Sequence, residues 1–461
     1  MSMRYPWIAG LCLLPLSVMA AAADTGSTPG GTTAPMEART QSTAVPLSLR
    51  EAVAMALRDN PGLAALRARA EAAAKVPVQA EVLPDPRLLL NAVNLPLDTF
   101  SFTQEGMTQL QLGVVQALPF PGKLALRARA AEYESAAAFD EVGELRLQLE
   151  RDVRSVWWNL YYLDRALDIL ERNRQLLRQL VEVAQTKYRV GQGLQQDVLL
   201  AQLELSQLQD QEIALVGTRR GEEARLNALL DRPADQAVRL PVEVPLGMAE
   251  LADEAELQAQ ALQQRPLLAA RKNVIEAARA RLDLARKDRS PDFSLGANYG
   301  LRSGENPDGS SRADFLSVMF SMTMPIFTSR RQDAAIEQRG SQLQQQHYSL
   351  DQARLRVSRE VSRALADYRA AREQAVLLDR GILPQARQTV ASMLAAYQVD
   401  KVDFLNLVRS QVTLFNYETR YWHAVSRANQ AQAALQAAVG KPSEESTAAS
   451  PTSRIESEVT P

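Results

Sequence analysis

Cysteine is almost missing from this chain: Cys12 is the only one in 461 residues. It sits in an apolar stretch behind Leu11, where a lipid-attached cysteine would need a small residue, so it reads as apolar filler. No disulfide within the chain and no thiolate metal site can be built. Histidine is scarce too. His347 and His423 are the only two, each in a helical context, and a metal site needs several ligands that converge. Neither a Walker motif nor a phosphate-cradling glycine loop occurs, which excludes ATP hydrolysis. No catalytic constellation stands out, so no enzyme activity, cofactor or metal site is expected. Net charge is −2, which gives no reason to expect nucleic acid as a partner. Beyond the N-terminus no run of 18 apolar residues occurs, so no transmembrane helix is expected. Aromatics are only 5%, and Ala and Leu carry the apolar load.

The N-terminus has the pattern of a secretory signal over residues 1–23. Arg4 supplies the positive start, Trp7 to Val18 the apolar stretch and Met19 to Ala23 the small cleavage region. Residues 24–45, rich in Gly, Ser, Thr and Pro, read as a flexible leader, and residues 443–461 as a disordered tail.

Between them the chain is written twice. "ALRDNP" (56–61) is matched by "ALQQRP" (261–266), and "DPRLLLNA" (85–92) by "SPDFSLGA" (290–297). "ALPFPGK" (117–123) is matched by "TMPIFTS" (323–329), "YRVGQGLQQDVLLAQLEL" (188–205) by "YQVDKVDFLNLVRSQVTL" (397–414), and "RLNALLDRP" (225–233) by "ALQAAVGKP" (434–442). The offsets are 205, 205, 206, 209 and 209, always in order. This predicts a first repeat over 46–233, a linker over 234–255 in an equatorial region, and a second repeat over 256–442.

Each repeat reads alike. The first predicts short helices near 48–59 and 62–82, strands at 86–94 and 108–118, and helices at 123–189 and 195–230. The second predicts strands at 291–301 and 314–324 and helices at 329–398 and 404–439, with proline and glycine at the junctions. Leu149, Val153, Val156, Leu160, Leu163, Leu167 and Leu170 recur at a 3-4 spacing, a coiled-coil seam. Leu407, Ser410, Leu414, Tyr417, Tyr421 and Ala424 continue the pattern in the last helix. Pro384 is expected to interrupt its helix. A helix over 123–189 would extend ~100 Å at 1.5 Å per residue, far beyond the needs of a globular domain. The composition thus predicts a mainly α protein with a small β part.

The strands raise the functional question. In "PDFSLGANYGL" (291–301), Phe293, Leu295, Ala297 and Tyr299 alternate with polar or small residues. In "LSVMFSMTMP" (316–325), Val318, Phe320 and Met322 do the same. A length of 9–11 residues suits a tilted crossing of a bilayer core. Four strands cannot close a barrel, and open edges cannot stand in lipid. The pattern therefore implies that several chains pool their hairpins, with the apolar face toward lipid and the polar face toward a pore. Met319 falls on the pore side and Met322 and Met324 on the lipid side; packing filler explains them better than metal contacts.

Together, the duplicated layout, "LPDP" (83–86), "LPFPGKLALR" (118–127) and the hairpin motifs "YRVGQG…DVLLAQ" and "YQVDKVDFLNLV" resemble the TolC-like outer-membrane efflux factors over nearly all of 47–442. "EGMTQLQLGVVQALPFPGK" (105–123) looks most like the heavy-metal, cation-efflux branch. The resemblance implies a homotrimer with a twelve-stranded outer-membrane β-barrel and a long periplasmic α-barrel of coiled-coil helices. It also implies a Gram-negative outer-membrane location, a periplasmic adaptor and an inner-membrane pump, commonly of the resistance-nodulation-division type. The chain would then be a passive exit duct for metal cations or drugs. Protein secretion is the alternative duct role, and a soluble periplasmic coiled-coil scaffold the alternative without a pore.

Candidate functional residues lie at the helix tips. By resemblance, Val190 and Gly191 in the first turn and Val399 and Asp400 in the second match the adaptor-contact turns. Asp400, Asp403 and, more remotely, Asp197 could form carboxylate rings that concentrate cations in an oligomer. Each also has a plainer role, Asp403 and Asp400 as solvated surface charges and Asp197 as a helix-start residue. Asp400 stands where the family usually has Gly, and Arg409 where it often has a gating Asp. The expectation is that Arg409 reaches an acidic residue on a neighbouring helix and locks the closed tip.

Overall fold

The computed structural model describes residues 46–248, 250–399 and 401–441. The signal segment, the leader, the tail after 442 and Asp400 lie outside the described residues.

The chain enters at Leu47, whose N–H donates to the Arg239 carbonyl at 2.8 Å. Helix α1 (Leu49–Asp59) starts with a capping box, in which Ser48 accepts from the Glu51 N–H and the Glu51 carboxylate returns to the Ser48 N–H. Asn60 then caps α2 (Pro61–Ala73), accepting from the Leu63 N–H at 3.0 Å. The expected single helix over 62–82 is broken here. It stops at Ala73 and resumes as α3 (Val76–Glu81). Pro77 is the reason: it has no N–H to donate and its ring crowds the preceding turn, so it is tolerated only at the start of a new helix.

Strands β1 (Arg87–Val93) and β2 (Gln109–Leu118) follow, then the long helix α4 (Lys123–Arg189) and its return partner α5 (Gln195–Leu229). Helices α6 (Glu254–Gln264) and α7 (Pro266–Lys287) lead to strands β3 (Phe293–Leu301) and β4 (Phe315–Met322). Helix α8 (Gln332–Leu377) passes through a π-helical turn, Leu378–Ile382, into α9 (Leu383–Gln398), and α10 (Phe404–Val439) closes the order. The interruption expected at Pro384 takes the form of this π turn. A proline cannot donate to the carbonyl four residues back, and a shift to wider closure just before it absorbs the mismatch.

The four strands form one antiparallel sheet in the order β1-β2-β3-β4, with β1 and β4 at the edges. Among the helices, α4 is central. It packs against α1, α2, α3, α5, α7 and α10, while α8 packs on α7 and α10. The seam residues Leu149, Val153, Val156, Leu160, Leu163 and Leu170 are all buried. Trp157 is fully buried and its indole N–H donates to the Leu47 carbonyl at 3.1 Å, while the Tyr161 hydroxyl donates to the Val242 carbonyl. These two bonds hold the entering chain and the 230–253 connector against the middle of α4.

Equivalent contacts recur in the two halves. Ala52, Ala56 and Leu63 pack on Leu149, Val153 and Val156; Leu257, Ala261 and Leu268 pack on Val357, Val361 and Ala364. Asn60, just before a proline, donates to the Leu229 carbonyl near the end of α5. Arg265, just before the matching proline, donates to the Ala437 carbonyl near the end of α10 at 2.7 Å.

Candidate functional site

Two places carry candidate function: the sheet and the helix tips. The sheet is read by its register. Leu88 pairs with Val114, Val114 with Ala297 and Ala297 with Val318; one step along, Leu90, Leu112, Tyr299 and Leu316 pair in the same way. A pleated sheet sends alternate residues to opposite faces, so each cross-strand row shares one face. The apolar rows thus make a continuous apolar surface across all four strands. Leu295, Ala297, Tyr299, Val318, Phe320 and Met322 are exposed on it. Phe293 is half-buried there, its ring stacked on Phe320 at 5.8 Å between centroids.

The other face mixes polar residues with apolar ones such as Leu89, Val115 and Phe315. It carries Asn91, Gln111, Asn298, Ser317 and Ser321, with Ser294 and Ser321 sharing a hydrogen bond of 2.6 Å. Gly113 and Gly300 let large neighbours fold over this face: a Cβ on Gly113 would lie 1.7 Å from Asn298 Oδ1, and one on Gly300 2.0 Å from Gln109 Oε1. Small residues opposite large ones let the sheet curl toward its polar side. Met319 lies on this face.

Arginines tie the loops beyond the sheet. Arg312 Nη1 donates to the carbonyls of Thr103, Glu105 and Ser303, and Arg302 Nη2 to that of Gly106. At the opposite end of the strands, Lys123 is buried and its Nζ meets Asp292 at 2.9 Å and Asp288 at 3.3 Å. Asp292 also accepts from the Phe120 N–H at 2.8 Å. One ammonium therefore rivets the start of α4 to the start of β3.

At the tips, α4 ends in a left-handed closure. The Gln192 N–H donates to the Lys187 carbonyl at 2.8 Å and the Gly191 N–H to the Tyr188 carbonyl at 3.0 Å, with Gly191 at φ 76°. This is the six-to-one and five-to-two pattern that asks for glycine. At the second tip the Lys401 N–H donates to the Ala396 carbonyl at 2.9 Å, the same six-to-one closure. Val190 and Val399 are exposed at 62% and 61%, so each tip presents a bare valine. Asp197 sits half-buried in the first turn of α5, and Asp403 is the exposed N-cap residue of α10, without a side-chain capping bond. Arg409 is exposed on α10, and among the described residues no ion pair reaches it.

The tips are joined by a contact that sequence reading missed. Lys187 Nζ lies 4.3 Å from the centroid of the Tyr397 ring and donates to the Tyr397 carbonyl at 3.2 Å. Tyr397 is buried against Phe404, their centroids 5.6 Å apart, in a cluster with Leu180, Val181 and Leu407. Arg387 on α9 bridges to Glu418 on α10 at 2.9 Å, and Arg174 on α4 pairs with Glu212 on α5. The available signal was the repeat itself: Tyr397 aligns with Tyr188, and Lys187 precedes only the first of them.

Among the described residues, no group of three or more His, Cys, Asp or Glu could hold a metal ion, and no helix is long and apolar enough to cross a membrane.

Residues 257–441 match the model of the outer membrane efflux protein family. Protein CyaE of Bordetella pertussis is 29% identical over 253 residues, 54% of this chain and 52% of that protein, so the alignment spans about half of that relative. The cobalt-zinc-cadmium resistance protein CzcC of Cupriavidus metallidurans is 21% identical over 396 residues, 86% of this chain and 90% of that protein. Among solved structures, the outer membrane protein VceC of Vibrio cholerae superposes with a TM-score of 0.72 at 19% identity, covering 85% of this chain and 96% of that one.

Proposed function

We propose that this chain, whose residues 257–441 belong to the outer membrane efflux protein family and whose fold is that of outer-membrane channels, is the exit duct of a tripartite efflux system in a Gram-negative cell. The observation that carries the reading is the continuous apolar face over four strands with two unpaired edges. In lipid each unpaired backbone group costs several kcal/mol (about 2–7 by transfer measurements). Edge β4 of one copy therefore joins edge β1 of the next, and three copies close a twelve-stranded barrel. The apolar rows face lipid. The rows with Asn91, Gln111, Asn298 and Ser317 face the lumen, with hydroxyls and amides that pass hydrated solutes without selecting a charge.

The helices carry the lumen through the periplasm to the tips. Val190 and Gly191, with Val399 and Asp400, meet the adaptor, since exposed apolar turns are what a docking partner covers. Asp403 and Asp400, repeated by symmetry, ring the entrance with carboxylates and draw cations in. Arg409, which no ion pair among the described residues reaches, takes a carboxylate of the adjacent copy and holds the tips shut. The cargo is metal cations delivered by a pump of the resistance-nodulation-division type, a reading supported by the likeness to CzcC over most of both chains.

The purified protein in planar bilayers should give discrete conductance steps, and a deletion strain should become sensitive to divalent metals. Absence of conductance from a protein that needs no detergent defeats the duct. Sensitivity to organic drugs alone defeats the metal cargo.

A further inference from the structure

On its helix side the apolar face of the sheet ends in an exposed collar. Beyond β4 the Thr323 N–H still donates to the Asp292 carbonyl at 2.8 Å, so the pairing runs on and Met324 falls in the apolar row after Val318, Phe320 and Met322. The chain then turns, the Ile326 N–H donating to the Met324 carbonyl at 3.0 Å. Met324, Ile326 and Phe327 are exposed at 66%, 70% and 72%. In a second turn the Phe327 carbonyl accepts from the Arg330 N–H at 3.3 Å and from the Arg331 N–H at 3.0 Å. Both arginines are thereby held within one turn of Phe327. Both are exposed, and among the described residues no ion pair reaches either. Nearby cations are engaged elsewhere. Lys123 meets Asp288 and Asp292, Lys287 donates to the Pro121 carbonyl over the Phe120 ring, and Arg289 holds Asp333.

Depth decides what lies opposite the two arginines. Val318 pairs with the centre of β3 and marks the middle of the apolar band. Met324 stands six residues further along. That is ~20 Å of strand at ~3.3 Å per residue, or ~14 Å of depth at a tilt near 45°. Half of a hydrocarbon core is ~15 Å. Met324 thus stands at its boundary, and the two turns beyond it are level with the headgroup phosphates. The strand leads into α8 here, so the leaflet is the periplasmic one. The opposite end of the sheet differs: Arg302 and Arg312 are engaged by loop carbonyls, and those loops carry Asp98, Glu105, Glu305 and Asp308.

We infer that Arg330 and Arg331 bind the phosphate of an anionic phospholipid in the periplasmic leaflet, with Met324, Ile326 and Phe327 along its acyl chains. The inference rests on the membrane reading above and adds a ligand to it. A guanidinium offers parallel N–H donors that match two phosphate oxygens. The N-terminus of α8, just after the pair, favours the same charge. A zwitterionic headgroup brings its own ammonium to the phosphate and competes with the arginines, so a lipid of net negative charge is preferred. Each arginine at such a surface adds about fivefold in affinity.

The test takes the full-length protein in detergent with equal amounts of phosphatidylglycerol and phosphatidylcholine, and reads the retained lipids by native mass spectrometry. The parent should retain phosphatidylglycerol about tenfold over phosphatidylcholine. Arg330→Gln with Arg331→Gln should bring the ratio close to one, while Arg330→Lys with Arg331→Lys should keep most of it. The single glutamine variants carry the test if the double one does not assemble; each should lower the ratio about threefold. Conductance in planar bilayers is measured on the same samples. A conducting parent without the preference, or a conducting double glutamine variant that keeps it, overturns the lipid site and leaves the duct standing. Loss of the preference to inorganic phosphate, against chloride at equal ionic strength, assigns the arginines to a soluble anion and overturns the lipid site too. A protein that needs no detergent and gives no conductance overturns the site together with the duct.

Discussion

An arginine placed on the apolar face of the sheet tests the membrane reading most directly. Val318 is the site of choice. It pairs with Ala297, the centre of β3, which lies four residues from either end of that strand. At ~3.3 Å per residue this is ~13 Å along the strand, and a tilt near 45° makes it roughly 9 Å in depth. Val318→Arg thus puts a guanidinium near the midplane of the hydrocarbon, at a cost of about 2–4 kcal/mol per copy. Three copies in one barrel raise the sum to about 6–12 kcal/mol per assembly. Ser317→Arg is the control. It is adjacent, also exposed, and on the opposite face, where a lumen arginine stays in water. The assay compares urea-induced unfolding and the heat at which trimers separate in detergent, with both variants reconstituted into vesicles. Val318→Arg should fold poorly and separate early, while Ser317→Arg should stay within about 0.5 kcal/mol of the parent, as surface substitutions do. Equal loss in both, or none in either, would refute the assignment of faces and with it the barrel.

Further expectations concern the joints. Glu144→Ala leaves Arg265 buried without its main partner and should cost about 3–5 kcal/mol in chemical unfolding. The same pair sets a pH dependence. Burial would raise the Glu144 carboxyl, but the Arg265 guanidinium, joined by bonds from Gln148 and the Leu267 N–H, holds it below its ordinary value of 4.5. Its contribution is therefore full above that ordinary value and is lost as pH falls through the lowered one. The stability gap between parent and Glu144→Gln, followed by unfolding from pH 7 downward, should narrow only under acid conditions; a gap constant to pH 2 would count against the ion pair. Gly113→Val drives a side chain into Asn298 and should cut the yield of assembled protein in membranes, with Gly113→Ala intermediate. Lys187→Ala removes a cation from the Tyr397 face, about 0.5–2 kcal/mol, and should lengthen open times in single-channel records without altering the open conductance.

Much of this fold was legible because strand pleating and coiled-coil packing both impose strict periods. The alternation in "FSLGANYGL" survives in the structure, since a pleated strand sends alternate residues to opposite faces along its whole length. Helix α4 was legible to its ends because Gly122 and Gly191 adopt positive φ at both of them. The break at Ala74 was not, as the alanines of 68–74 favour continuation and only Pro77, three residues on, opposes it. Nor was the π turn before Pro384: a proline announces that a helix must adjust, not which closure it will choose. The site was legible where it is local, as in the valines and glycine of the turns. It was hidden where it depends on partners far apart in the chain. Glu144 and Arg265 are 121 residues apart, and Lys187 and Tyr397 are 210 apart. On a helix a charge that faces solvent and one that faces a buried arginine obey the same spacing, so period alone cannot separate them.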